Sequence, residues 1–92
     1  MIENIRHRGL RRFYERGDRS GIGPAISPRV EEILSMLDAA ETIEELNLPG
    51  YRLHALVGSL KGYWSIRVTG NMRIIFRFEG SSVVDVDLVD YH

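Results

Sequence analysis

Two hydrophobic periods divide this chain, and the change from one to the other falls near Tyr51. Upstream, apolar positions follow the 3.6-residue repeat of a helix. Leu10, Phe13 and Tyr14 lie at i, i+3 and i+4, with Gly17 as a C-terminal stop. Val30, Ile33, Leu34 and Leu37 form a second helical stripe, running to about Ala40. Ser27 serves as its N-cap with Pro28 at the first helical position, and Glu31 and Glu32 follow where the helix dipole favours negative charge. The stretch Ser20-Gly21-Ile22-Gly23-Pro24 between the two stripes is a loop by composition. Thr42, with Glu45 three residues on, predicts a capping box and one more short turn, ended by Pro49-Gly50. Ahead of the helices, Ile2 to Arg6 predicts a short first strand.

From Tyr51 onward the period is two. A strand over Tyr51–Leu56 is followed by three alternating runs. Trp64, Ile66 and Val68 alternate with Tyr63, Ser65 and Arg67. Ile74, Phe76 and Phe78 alternate with Arg73, Ile75 and Arg77, while Val84, Val86 and Leu88 alternate with Asp85 and Asp87. Thr69-Gly70-Asn71 and Gly80-Ser81-Ser82 are turn compositions, so these strands join as antiparallel hairpins. The expected architecture is α+β, in one domain over residues 1–92: a short N-terminal strand, two helices, then a four-stranded antiparallel meander with the helices on one face. The same alternation places Arg67, Arg73 and Arg77 on the face away from the helices, joined there by Tyr63, Arg52 and His54. An antiparallel sheet can leave one face wet, and such a face suits a phosphate backbone.

Composition narrows the class. A chain of 92 residues supports one modest core, and 43% hydrophobic with 27% charged residues is ordinary for a soluble globular protein. No apolar run is long enough for a membrane span, and none near the start suits a secretory signal. The chain has no cysteine, which excludes disulfide and thiolate chemistry and fits a reducing cytoplasm. The net charge of −1 conceals segregation. Residues 51–78 carry four Arg and one Lys with no acid, whereas residues 29–48 carry one Arg against six acids. A polyanion can use the basic block although the whole chain is nearly neutral. Pairing of Asp85 and Asp87 with those arginines across the sheet would neutralise part of it.

The candidate chemistry is cleavage of RNA by its own 2′-hydroxyl. That reaction needs a base for the 2′-OH proton, an acid for the leaving 5′-oxygen and a cation for the charge gathering on phosphorus. His54 and His92 suit the proton transfers, since imidazole titrates near neutrality. Asp90 serves either as base or as the group orienting a histidine. Arg73 is the candidate for charge stabilisation, because guanidinium is always protonated and forks onto two phosphate oxygens. Tyr91 offers stacking or a hydrogen bond to a base. No metal or other cofactor is required. For each residue a plainer role competes: His54 as a surface histidine, Arg67 and Arg77 as solvated or ion-paired, Asp90-Tyr91-His92 as the cap of the last strand. His7 reads as surface and Trp64 as packing.

The combination of motifs is more specific than its parts. Arg6-His7-Arg8-Gly9-Leu10-Arg11-Arg12-Phe13, Leu46-Asn47-Leu48-Pro49-Gly50, Arg52-Leu53-His54, Gly62-Tyr63-Trp64-Ser65-Ile66-Arg67-Val68, Asn71-Met72-Arg73, Phe76-Arg77-Phe78 and Asp90-Tyr91-His92 together resemble the HigB toxins. These belong to the RelE-like superfamily of bacterial toxin–antitoxin systems, and the resemblance spans essentially the whole chain. It implies a small α+β endoribonuclease of the cytoplasm that enters the ribosomal A site on the 30S subunit and cuts the mRNA codon there. It also implies a HigA antitoxin with a helix-turn-helix fold, through which the toxin reaches operator DNA only indirectly, and no association with membrane. The family's functional residues fall on His54, Asn71, Arg73, Asp90, Tyr91 and His92. Arg52, Lys61, Arg67 and Arg77 are expected to join Asn71 in holding RNA.

Two departures stand out. Many relatives read His-Pro-Leu-Lys-Gly where this chain reads His54-Ala55-Leu56-Val57-Gly58, so a phosphate-contacting lysine is replaced by valine. Lys61, four residues on, is the nearest substitute. Met72 stands where a tryptophan is common, and Met is a tolerant packing substitute. Neither change removes an acid or a base, so activity is expected, weaker if Lys61 does not make up for Val57. Two other functions compete: a binding-only partner of HigA that tunes operon repression, and a ribonuclease that acts without the ribosome. The acidic segment Glu31 to Glu45 is the expected antitoxin contact.

Overall fold

A computed structural model describes residues 1–90. Helix α1 spans Arg8–Arg16 and α2 spans Ser27–Ala39, followed by a 3-10 turn at Ile43–Leu46. Four strands complete the chain: β1, His54–Ala55; β2, Trp64–Arg67; β3, Met72–Glu79; and β4, Ser82–Asp90. They form one sheet in the order β1-β2-β3-β4, antiparallel throughout. The expected α+β meander with helices on one face is the observed architecture. Its core lies between the helices and the sheet. Leu10 and Phe13 from α1 and Val30, Ile33, Leu34 and Leu37 from α2 pack against Ile66, Ile74, Phe76, Val83, Val86 and Leu88.

Both helices form for the reasons legible in their sequences, with a shift of one residue at the start of α2. Gly17 ends α1 at φ 72°, where its N–H donates to the Phe13 carbonyl at 2.9 Å, a conformation open to glycine at no steric cost. The start of α1 is capped by His7, whose Nδ1 accepts the Leu10 N–H at 3.0 Å, so His7 is structural rather than a bare surface residue. In α2 the cap position falls on Ile26, one residue before the expected Ser27. Ser27 is instead buried as the first helical residue, and its hydroxyl donates to the Pro24 carbonyl at 3.4 Å. The Glu45 carboxylate accepts the Thr42 N–H at 3.1 Å, as a capping box requires.

Three expectations for the strands need correction. The first segment is not a regular strand: it touches β4 through two isolated parallel bridges, Ile2 to Val83 and Ile5 to Val86. The expected strand over Tyr51–Leu56 shrinks to His54–Ala55, because Arg52 takes a left-handed φ of 50° that breaks the extended run. In β4 the alternation slips at Asp85, which has φ 52° beside the register shift opposite Ile75 and Arg77. A bulge of this kind turns successive residues onto the same side. Val83 therefore joins Val86 and Leu88 in the core cluster, whereas the expected Val84 is buried outside it.

Candidate active site

The face of the sheet away from the helices carries a pocket of about 410 Å3 lined by Arg52, Leu53, His54, Ser65 and Arg73. Strand register explains how residues so far apart in sequence meet there. His54 opens β1 directly opposite Ser65 of β2, and Ser65 lies opposite Ile75 of β3. One step along, Arg67 pairs with Arg73. Directly opposed residues of antiparallel strands project to the same side. His54 is exposed at the pocket rim, while Ser65 is 3% exposed and forms its floor. Arg52 arrives by a different route, through its left-handed backbone after Gly50, which has φ 83°.

Of the residues expected from sequence, the pocket unites Arg52, His54 and Arg73. Leu53 and Ser65 were not anticipated, although Ser65 could have been found as the cross-strand neighbour of His54. Lys61 is exposed in the 3-10 turn at Gly58–Leu60 and its cap, and Asn71 is exposed in the β2–β3 turn; neither lines the pocket. The Asn71 N–H is held by the Thr69 hydroxyl at 3.3 Å. Asp90 ends β4 opposite Met72, one residue from Arg73. By strand alternation its position in β4 matches that of Leu88, opposite Met72, and it is not among the described residues lining the pocket. Tyr91 and His92 lie outside the described residues.

Arg77 is committed elsewhere. Its Nε and Nη2 donate to Asp85 at 3.1 and 2.8 Å, its Nη2 is 3.5 Å from Glu79, and its guanidinium lies 5.8 Å from the centre of the Tyr63 ring. The hydrogen bond from Arg77 and, first, that from the Asn4 amide hold the Asp85 carboxyl below its ordinary value. The expected neutralisation across the sheet thus occurs at Arg77–Asp85. Asp87 makes no ion pair among the described residues; its carboxylate accepts the Leu88 N–H at 2.9 Å. Arg67, opposite Arg73 in the register, does not line the pocket, and its backbone is pinned at both ends. The Arg67 N–H donates to the Tyr51 carbonyl at 2.8 Å, and its carbonyl accepts from Arg29 at 3.0 Å.

The site therefore offers two guanidinium groups and one imidazole on a shallow, water-accessible surface, with a third arginine beside it. Two fixed cations can hold adjacent phosphate oxygens, and an exposed imidazole can exchange protons with the sugar between them.

The chain is similar to known proteins in both sequence and fold. The sequence model of the family described as RelE-like toxin of type II toxin–antitoxin system HigB matches residues 3–92. The chain is 39% identical over 92 residues to the endoribonuclease HigB of Proteus vulgaris, with all of both chains covered. It is 36% identical over 80 residues to toxin HigB-1 of Vibrio cholerae, covering 85% of this chain and 84% of that one. In fold it is similar to crystal structures of YafQ from E. coli. A mutant of that protein gives a TM-score of 0.63 at 19% identity, covering 98% of this chain and 91% of that one. The protein from strain BL21(DE3) gives 0.61 at 16% identity, covering 96% and 92%.

Proposed function

The chain belongs to the RelE-like HigB toxins of type II toxin–antitoxin systems, and on that footing we propose that it is an endoribonuclease that cuts mRNA on the ribosome. The observation carrying this reading is the pocket that brings His54 together with Arg52 and Arg73 on the open face of the sheet. In the reaction a 2′-oxygen attacks the adjacent phosphorus as its proton passes to a base. The 5′-oxygen leaves with a proton from an acid, and a cyclic phosphate remains. Arg73 and Arg52 stabilise the extra negative charge on the phosphoryl oxygens, where a preorganised donor acts most strongly. His54 supplies one of the proton transfers. Asp90, at the end of β4 beside the Asn71–Arg73 turn, leads into Tyr91 and His92, which supply the rest. The chemistry runs without a metal, since each charge and proton has a side chain to receive it.

The small size of the pocket supports dependence on the ribosome. A pocket of about 410 Å3 holds little more than one or two nucleotides, so orientation of the RNA has to come from outside the protein. The proposed partners are accordingly the 30S A site with its mRNA, in the cytoplasm, and a HigA-like antitoxin contacting the acidic segment Glu31 to Glu45. No helix among the described residues is long and apolar enough to cross a membrane.

Val57 favours one competing reading, a binding-only partner of the antitoxin. It is an apolar residue 84% exposed in the turn after β1, at the position where the family resemblance implies a lysine. Primer extension on mRNA from cells expressing the chain separates the two. Cuts within translated codons, absent when translation is blocked and absent in His92→Gln, are expected. Soluble, folded protein that leaves mRNA intact would assign the chain to antitoxin binding alone.

A further inference from the structure

One side chain frames the pocket from the opposite side of the sheet. Arg29, on α2, donates through Nη2 to the Gly50 carbonyl at 2.9 Å and to the Arg67 carbonyl at 3.0 Å. Its guanidinium lies 4.9 Å from the centre of the Tyr51 ring. Its Nη1 is 3.5 Å from the Glu32 carboxylate, which accepts the Tyr51 hydroxyl at 2.8 Å. Tyr51 is 3% exposed, and burial, with Glu32 as the hydrogen-bond acceptor, pushes its phenol up to about 12. The Tyr51 carbonyl closes the ring by accepting the Arg67 N–H.

We infer that Arg29 is a positioning residue for the RNA pocket: it locks the Gly50–Arg52 turn to the end of β2 and so sets where Arg52 and His54 stand relative to Arg73. The inference rests on the nuclease reading of the pocket. Both carbonyls that Arg29 holds belong to segments framing the pocket. Gly50 lies two residues before Arg52, and Arg67 is the strand partner of Arg73. Arg52 itself has φ 50°, a backbone conformation that a non-glycine residue keeps only where its surroundings over-determine it. Beyond Arg52 only two residues of β1 pair with β2, too few to fix the turn unaided. Lysine could reproduce the contact only in part, because it lacks the planar guanidinium that lies over the Tyr51 ring while one of its nitrogens donates to both carbonyls.

A double-mutant cycle on the full chain tests this. Cleavage of ribosome-bound mRNA is measured for wild type, Arg29→Met, Arg52→Ala and the double variant, alongside hydrogen exchange of residues 49–55 and the urea midpoint. Arg29→Met is expected to cut about tenfold to a hundredfold more slowly, the cost of displacing groups by about 1 Å. Its loss should largely overlap that of Arg52→Ala, because the one acts through the other. Exchange at 49–55 should rise selectively, and Arg29→Lys should recover only part of the rate. Additive losses, or an unchanged Arg29→Met rate, would overturn the inference. If wild type fails to cut at all, the nuclease reading falls separately. Exchange then decides: protection at 49–55 unchanged in Arg29→Met would still refute the positioning role, and its selective loss would uphold the turn-locking contact. Should Arg29→Met not fold, Arg29→Lys and Tyr51→Phe carry the same cycle.

Discussion

Asp38 and Asp85 each fasten the first residues of the chain through a carboxylate. Asp38 accepts the Ile2 N–H at 3.0 Å and the Tyr14 hydroxyl at 2.9 Å, and Asp85 accepts the Asn4 amide at 3.0 Å as well as Arg77. Donation from Ile2 in the first case and Asn4 in the second holds both carboxyls below the ordinary 3.8. The unfolded chain therefore binds more protons than the folded one in acid, so these contacts stabilise fully above about pH 4 and fade as pH falls through the depressed values. Urea unfolding should show a midpoint that drops below pH 4. Asp38→Asn should lose about 0.5–1 kcal/mol at neutral pH and show a shallower acid slope. An acid slope identical to wild type would remove Asp38 from the account. At this scale the sequence was legible where type and strand position decide: Arg52, His54 and Arg73 on one face, Gly17 as a left-handed stop. His7, Ser65 and Arg29 were hidden because their roles come from partners brought in by tertiary folding.

Element boundaries show where period alone runs out. The helical stripes and the three alternating runs were readable, since each rests on burial of one face. The bulge at Asp85 was not, because one left-handed residue moves the core from Val84 to Val83 without changing the apolar count. The segment before β1 failed likewise at Arg52. A further feature without a sequence signal is the contact between α1 and the loop before α2. A Cβ on Gly9 would lie 2.6 Å from the Gly21 carbonyl oxygen, a backbone atom with little room to move. Helix propensity favours Gly9→Ala by about 1 kcal/mol, whereas overpacking a closed contact costs about 1–3 kcal/mol. The clash should prevail, and Gly9→Ala should unfold at lower urea than wild type. A higher midpoint would mean that the loop yields and propensity decides.

For the molecule as a whole, the design is one of two unequal faces. The helices seal one side of the sheet, and the other draws two arginines and a histidine into one pocket from segments about twenty residues apart. Net charge said nothing of this, because acids on α2, the turn after it and β4 offset the basic residues of β1 to β3. The chain belongs to the HigB toxins, and under the proposed function Arg73 holds the phosphate at the moment of cleavage. The most direct measurement is cleavage of mRNA on programmed ribosomes by the purified protein, wild type beside Arg73→Ala. Wild type should cut the codon in the A site, and Arg73→Ala, folded to the same extent, should be slower by about a hundredfold or more. Equal rates for the two proteins, or no cutting by folded wild type, would contradict the account.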